Sequence, residues 1–595
     1  MKRFLVVVLV LAGLACRLFV PEPSPVAEFV TPSAPAMTPS LVPSSPTLTP
    51  LSTSTPLPTA TPLPTSTPLP TATLTPSPVP TPLPLEPGLD PDSVQFFPWP
   101  LYPGDWVSVS IIPRVPEDVT EPLTLTWEID HHHLFTTPVG FVGLDATLRA
   151  RFYWAWQVPE TTSTIPMTFT LLLPPGVFDP DPTDNVLAVS IEPRPVETFH
   201  APEPEARWVF AALPGVRLHY LTGTAAERDL DAIAAEVEAA YADVSLFFGA
   251  GAPGDSLDIY LLDRVIGQGG YASRDWVAIS YTDRLYTPVD MGMVLRHELT
   301  HRLDEAVGCH VAPSVVREGL AVYVTGGHYW PRSLVEDAAA LRASALYIPL
   351  SKLADDFYTH QHEVSYREAG AFISYIVEHF GWDGVETFCR ALPDEGDNAA
   401  RLSGGLSALG EADWAAFEQT WEAWLDAQPA SPETLAFLET EVRLMETLRA
   451  YQRAYDPGAH FLEGILFSPQ DGARRRITAD FVRRPREAEP VALELLLVLA
   501  QEALRYGAVE AAERPLAAVQ DVLAHGFPRT GLAADARPIV ATALAQGYEP
   551  YRLVSYLNGS YEVHALEYTA WPAQRVLTAV QTGTAWSVMP LPLSD

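Results

Sequence analysis

Met291-Gly-Met-Val-Leu-Arg-His-Glu-Leu-Thr-His-Arg-Leu303 is the stretch on which the reading of the chain turns. Met291, Val294, Leu295, Leu299 and Leu303 recur at the spacing of a partly buried helix. On that helix His297 and His301 lie one turn apart on one face, with Cβ atoms about 5–6 Å apart. Two imidazoles so placed can reach one zinc ion at about 2.0–2.1 Å, while Glu298 is rotated off their axis and can hold a metal-activated water. Two histidines on a helix can equally be satisfied core residues, so the surroundings must decide. A catalytic zinc takes three protein ligands and keeps one position open. Arg317-Glu318-Gly319-Leu320-Ala321 opens a second helical stretch, and Gly308 and Pro313 let the chain double back before it. Glu318 can then face both histidines across two packed helices. The expected metal ligands are His297, His301 and Glu318, the expected cofactor is Zn2+, and Glu298 is the expected general base.

His-Glu-Leu-Thr-His followed by Glu-Gly-Leu-Ala resembles the gluzincin metallopeptidases, and within them the group called peptidase MA-like. The likeness covers about residues 205–430, including a strand–helix–strand lead-in, Gly269-Gly-Tyr-Ala272 and a closing helix from Trp414 to Leu425. It implies a zinc peptidase with Glu318 as third ligand. Ser365-Tyr366-Arg367-Glu368-Ala369-Gly370 is similar to the tyrosine segment of the gluzincin aminopeptidases, which implies that Tyr366 stabilises the tetrahedral intermediate. His328 is a weaker candidate for that role. The exopeptidase motif of those aminopeptidases is absent. Gly269-Gly270-Tyr271-Ala272 stands where it would fall and offers no carboxylate for a free N-terminus, so an endopeptidase is expected. The apolar run Trp276 to Tyr281 is expected to pair its backbone with an extended substrate. Asp304 and Glu305, one turn past His301, either orient an imidazole or are solvated helix charges.

Before this region, Val107, Val109 and Ile111, and then Leu123, Leu125, Trp127 and Ile129, alternate with polar residues at the period of half-buried strands. With Pro- and Gly-rich turns between them, they predict a β-sandwich over 94–198. Asp179-Pro-Asp-Pro-Thr-Asp-Asn185 and the strand after it resemble the end of bacterial adhesion-type Ig-like modules. His131-His132-His133 reads as an exposed strand end. After the metallopeptidase region, 431–530 reads as helical and 531–595 as a small α/β or β region, with Asn558-Gly559 as a hairpin signal and no visible chemistry in either. The fold class expected is multidomain: an Ig-like β-sandwich, an α+β gluzincin-type domain, a helical region and a small C-terminal β region.

The N-terminus and the charge set the compartment. Lys2 and Arg3 precede an apolar run from Phe4 to Ala15, the pattern of a secretory signal over 1–20. Gly13-Leu-Ala-Cys16 resembles a bacterial lipoprotein cleavage site, leaving lipidation, plain cleavage or retention as an anchor open. Residues 21–93 form a Pro/Thr/Ser tract that can build neither helix nor ladder and reads as a spacer. A net charge of −36 argues against nucleic acid or an anionic membrane face as partner. Cys309 and Cys389, the two cysteines of the body, are either a disulfide or buried free thiols. The expected partner is a peptide or protein substrate, with membrane contact only through the N-terminus. The competing reading is a surface-tethered adhesion protein on a catalytically silent metallopeptidase scaffold.

Overall fold

The computed structural model of the chain describes residues 87–595, except 116–122, 130–131, 139, 143–148, 196–199, 250–256, 274–275, 412, 460–467, 557–558, 584 and 592–595. The expected secretory signal, Cys16, His131, Asn558 and most of the Pro/Thr/Ser tract lie outside the described residues.

The first part is two antiparallel four-stranded sheets. One has the order β1-β2-β6-β5, from Val94–Phe97, Trp106–Ile111, Arg149–Gln157 and Gly140–Val142. The other has the order β4-β3-β7-β8, from His132–Pro138, Thr124–Ile129, Ile165–Leu172 and Val186–Ile191. The alternation read in the sequence points Val107, Val109, Ile111, Leu125 and Trp127 into one core, where Trp127 stacks on Phe169 with ring centroids 5.5 Å apart. That core starts before Val94: Leu89 is buried in it, and Gly88 bridges to Arg114. His132 and His133 fall in β4.

A five-stranded mixed sheet follows, in the order β12-β13-β11-β10-β9. β9 (Trp208–Leu213) and β10 (Val216–Leu221) form an antiparallel pair, and α1 (Leu230–Phe248) crosses over to β11 (Leu257–Leu262), parallel to β10. β13 (Trp276–Ser280) lies parallel to β11, and the short β12 (Gly270–Ala272) pairs antiparallel with it as the edge. Here the expectation for Trp276 to Tyr281 is corrected. β13 is bonded on both sides, so its backbone is spent inside the sheet and the edge open to a partner is β12.

Helices dominate from there: α2 (Met291–Leu303), α3 (Ser314–Thr325), α4 (Leu334–Arg342), α5 (Leu350–Asp355), α6 (His362–Phe380), α7 (Trp382–Arg390), α8 (Asn398–Ala408), α9 (Trp414–Asp426) and α10 (Pro432–Tyr455). Glycines allow the closest approaches. A Cβ at Gly319 would stand 2.4 Å from the carbonyl oxygen of Ala369, and one at Gly370 would stand 2.6 Å from Val322, so α3 and α6 come together only because both are glycine. Cys309, between α2 and α3, is disulfide-bonded to Cys389 on α7.

The C-terminal part consists chiefly of α11 (Ala488–Arg505), α12 (Val509–His525), α13 (Leu532–Ala545) and an antiparallel meander of β14 (Tyr548–Ser555), β15 (Tyr561–Glu567), β16 (Gln574–Thr582) and β17 (Ala585–Pro590). Its core takes in side chains of the part before it. Tyr286, Tyr329, Trp330, Leu341 and Val364 are packed in one cluster with Leu444, Leu496, Ile539, Val563 and Val588. Buried ions cross the same boundary: Arg284 pairs with both Glu494 and Glu549, and Arg484 and Arg486 join Glu549 from its own side. Among the described residues no helix is long and apolar enough to cross a membrane.

Candidate metal centre and active site

Helix α2 starts at Asp290, whose side chain accepts a hydrogen bond from the Met293 N–H at 3.1 Å. Its buried side, Met293, Leu295, Leu299 and Leu303, faces the core and turns His297 and His301 to the cleft. The chain reverses at Gly308, in the left-handed region at φ 81°, and α3 brings Glu318 back over the two imidazoles.

Three ligand-competent atoms converge. Nε2 of His297 lies 3.2 Å from Nε2 of His301 and 3.2 Å from Oε2 of Glu318, and His301 Nε2 lies 3.4 Å from the same oxygen. Four ligands at about 2.0–2.1 Å in a tetrahedron stand about 3.3 Å from one another. The triangle therefore has the edge length of one face of a zinc tetrahedron. Two imidazole nitrogens and a carboxylate oxygen at this separation could hold one cation between them. Burial works to raise the Glu318 carboxyl, but the two imidazoles override it and hold it well below the usual range. The other Glu318 oxygen accepts a hydrogen bond from the Tyr358 hydroxyl at 2.7 Å.

Around the triangle lies a cleft of about 1290 Å³, and Glu298 lines it. One wall is the edge strand β12, pressed against α2 because a Cβ at Gly270 would come within 3.0 Å of Val294. Tyr366, on α6, reaches the cleft with its ring 5.9 Å from His297, 4.6 Å from His328 and 4.2 Å from His362. Burial, then the carboxylates of Glu318 and Glu298, push the Tyr366 phenol well above its ordinary value, so it keeps its proton. Burial, with Arg449 nearby, pushes the His362 imidazole down to about 4.

The structure thus brings Glu298, Tyr366 and the three expected ligands into one cleft. It separates the acidic pair after His301. Asp304 is buried but accepts from Arg317 at 3.0 Å, Glu305 is exposed, and His301 Nδ1 has no hydrogen-bond partner among the described residues. Two features were not read from the sequence. Tyr358 belongs to no motif, its one signal being an aromatic side chain in the polar run Asp355-Asp-Phe-Tyr-Thr-His360. Glu446, Arg449 and Gln452 on α10, in the region where the sequence shows no chemistry, also line the cleft.

No family model and no curated protein matches the chain. Among solved structures, yeast LTA4 hydrolase in complex with bestatin is similar over 73% of this chain and 92% of its own, at 12% identity and a TM-score of 0.27. Native leukotriene A4 hydrolase from Saccharomyces cerevisiae is similar over 76% of this chain and 97% of its own, at 11% identity and a TM-score of 0.28.

Proposed function

We propose that the chain is an extracytoplasmic zinc-dependent peptidase that cuts within peptide chains. What carries this reading is the triangle of His297, His301 and Glu318, whose sides of 3.2, 3.2 and 3.4 Å suit three ligands of one tetrahedral ion. Zinc held there would polarise a scissile carbonyl and make a water acidic enough to lose its proton near neutral pH. Glu298 takes that proton and returns it to the leaving amine. Tyr366 donates its hydroxyl hydrogen to the carbonyl oxygen as that oxygen gains charge. The substrate lies extended against β12, whose outer edge has backbone groups to offer. Gly269–Ala272 carries no carboxylate to hold a free N-terminus, which favours internal cleavage. The basic and apolar N-terminal run favours export, with the Pro/Thr/Ser tract as spacer.

The test uses the full-length chain and its Glu298→Gln variant, incubated with a mixture of unfolded proteins, with cut sites read by mass spectrometry and zinc quantified. The parent should make internal cuts, and the variant should hold about one zinc per chain while losing activity by at least about 100-fold. Zinc-loaded parent protein that cuts nothing would favour the adhesion reading.

A further inference from the structure

Tyr366 sits between two charges that both reach out of the peptidase body. Glu363 and Arg367 are four residues apart on α6, so they share one face of the helix, and Tyr366 lies beside that face. Both are fully buried. Glu363 is gripped by Arg449, whose Nη2 donates to Oε1 at 2.6 Å and whose Nη1 donates to Oε2 at 3.3 Å. Arg367 donates through Nη2 to Glu441 at 2.8 Å, and through Nε to Asp337 at 3.1 Å. Arg449 and Glu441 both belong to α10. The pairs are opposite in sense, acid to base and then base to acid, so a helix shifted along its neighbour would set like charges against each other. Both pairs also have partners on the peptidase side. The Tyr329 hydroxyl lies 3.2 Å from Glu363 Oε1, and Arg367 Nη1 donates to the Glu363 carbonyl at 2.9 Å.

Buried pairs of this kind add little net stability over apolar contacts, but they fix register, because a broken one leaves an uncompensated charge. The register fixed here is that of the α6 turn carrying Tyr366. A donor to a developing oxyanion works only when held close to its place, and it loses much of its effect when displaced by about an ångström.

We propose that α10 is part of the catalytic apparatus, its Arg449 and Glu441 acting as positioning residues that hold the Tyr366 turn against the cleft through Glu363 and Arg367. The inference rests on the peptidase reading and on the part that reading gives to Tyr366. It assigns to the C-terminal part a task in catalysis rather than in binding a separate partner.

A double-mutant cycle on the full-length chain tests it, with kcat and zinc content measured for the parent, Tyr366→Phe, Arg449→Met and the combination. Because Arg449→Met strands the Glu363 carboxylate, the pair variant Glu363→Gln with Arg449→Met is run beside it as a charge-balanced control of folding. Tyr366→Phe should lower kcat by about 100-fold. Arg449→Met and the balanced pair should each lower kcat by at least about tenfold at full zinc content and little changed KM. In the Tyr366→Phe background, Arg449→Met should change kcat by less than about twofold. Multiplication of the two effects would overturn the inference and leave the peptidase reading standing. Wild-type kcat in the balanced pair would overturn it too. A Tyr366→Phe variant as active as the parent would remove Tyr366 from the mechanism and the inference with it, and a parent with no activity would remove both.

Discussion

Single side chains make up the candidate metal site, and their proposed contributions separate by measurement. Glu318→Ala should cut bound zinc well below one per chain by elemental analysis, whereas Tyr358→Phe should keep the zinc and weaken its retention against a chelator by about 10–100-fold, because it removes only the hydrogen bond on the second Glu318 oxygen. Acid should act through His362. Its folded value of about 4 lies below the ordinary imidazole value, so between about pH 6.5 and 4 the unfolded chain binds the extra proton. Stability should therefore fall as pH drops through that window, and urea titrations at pH 7 and 5 should show a smaller fall in His362→Phe. The convergence of His297, His301 and Glu318 was legible because a helix fixes the relation between the two histidines, and Glu318 needs only a reversal of the chain. Tyr358 was not, because its place depends on where the turn Phe357–Thr359 packs, which no local pattern records.

Elements meet at distances that the sequence only hints at. Gly319→Ala drives a methyl into the Ala369 carbonyl, and α3 and α6 must part, so the variant should lose about 1–3 kcal/mol in denaturant titrations and lose activity beyond what that loss explains. The Cys309–Cys389 bond closes a separation of 80 residues and ties the α2–α3 connection to α7. A Cys389→Ala variant should unfold with about 4 kcal/mol less resistance by the chain-entropy estimate, checked by its melting temperature. The sheet shows where pattern reading stops. The apolar run Trp276 to Tyr281 announced a strand, but not which neighbour would cover it. Residues 270–272, too few for a period, form the edge instead.

Across the whole molecule, the alternation of the sandwich was readable because each strand carries its own inside and outside. The union of the C-terminal part with the body before it was not, because it rests on long-range contacts, an apolar cluster and buried ion pairs. Glu549 pairs with Arg284 across that boundary and with Arg484 and Arg486 on its own side. Burial alone would raise its carboxyl, but Arg484, Arg486 and Arg284 hold it far below the usual range, so its contribution is complete above the ordinary carboxylate value and is lost progressively as pH falls below it towards the depressed folded value. Glu549→Gln should cost about 3–5 kcal/mol, read from the unfolding midpoint at pH 7. The shared core also sets an order of events. A chain made N-terminus first presents α2 long before β17, whose Val588 belongs to the same buried cluster as Leu444 of α10. The cleft of the proposed peptidase therefore has one wall, α10, whose own packing is shared with the part of the chain made last.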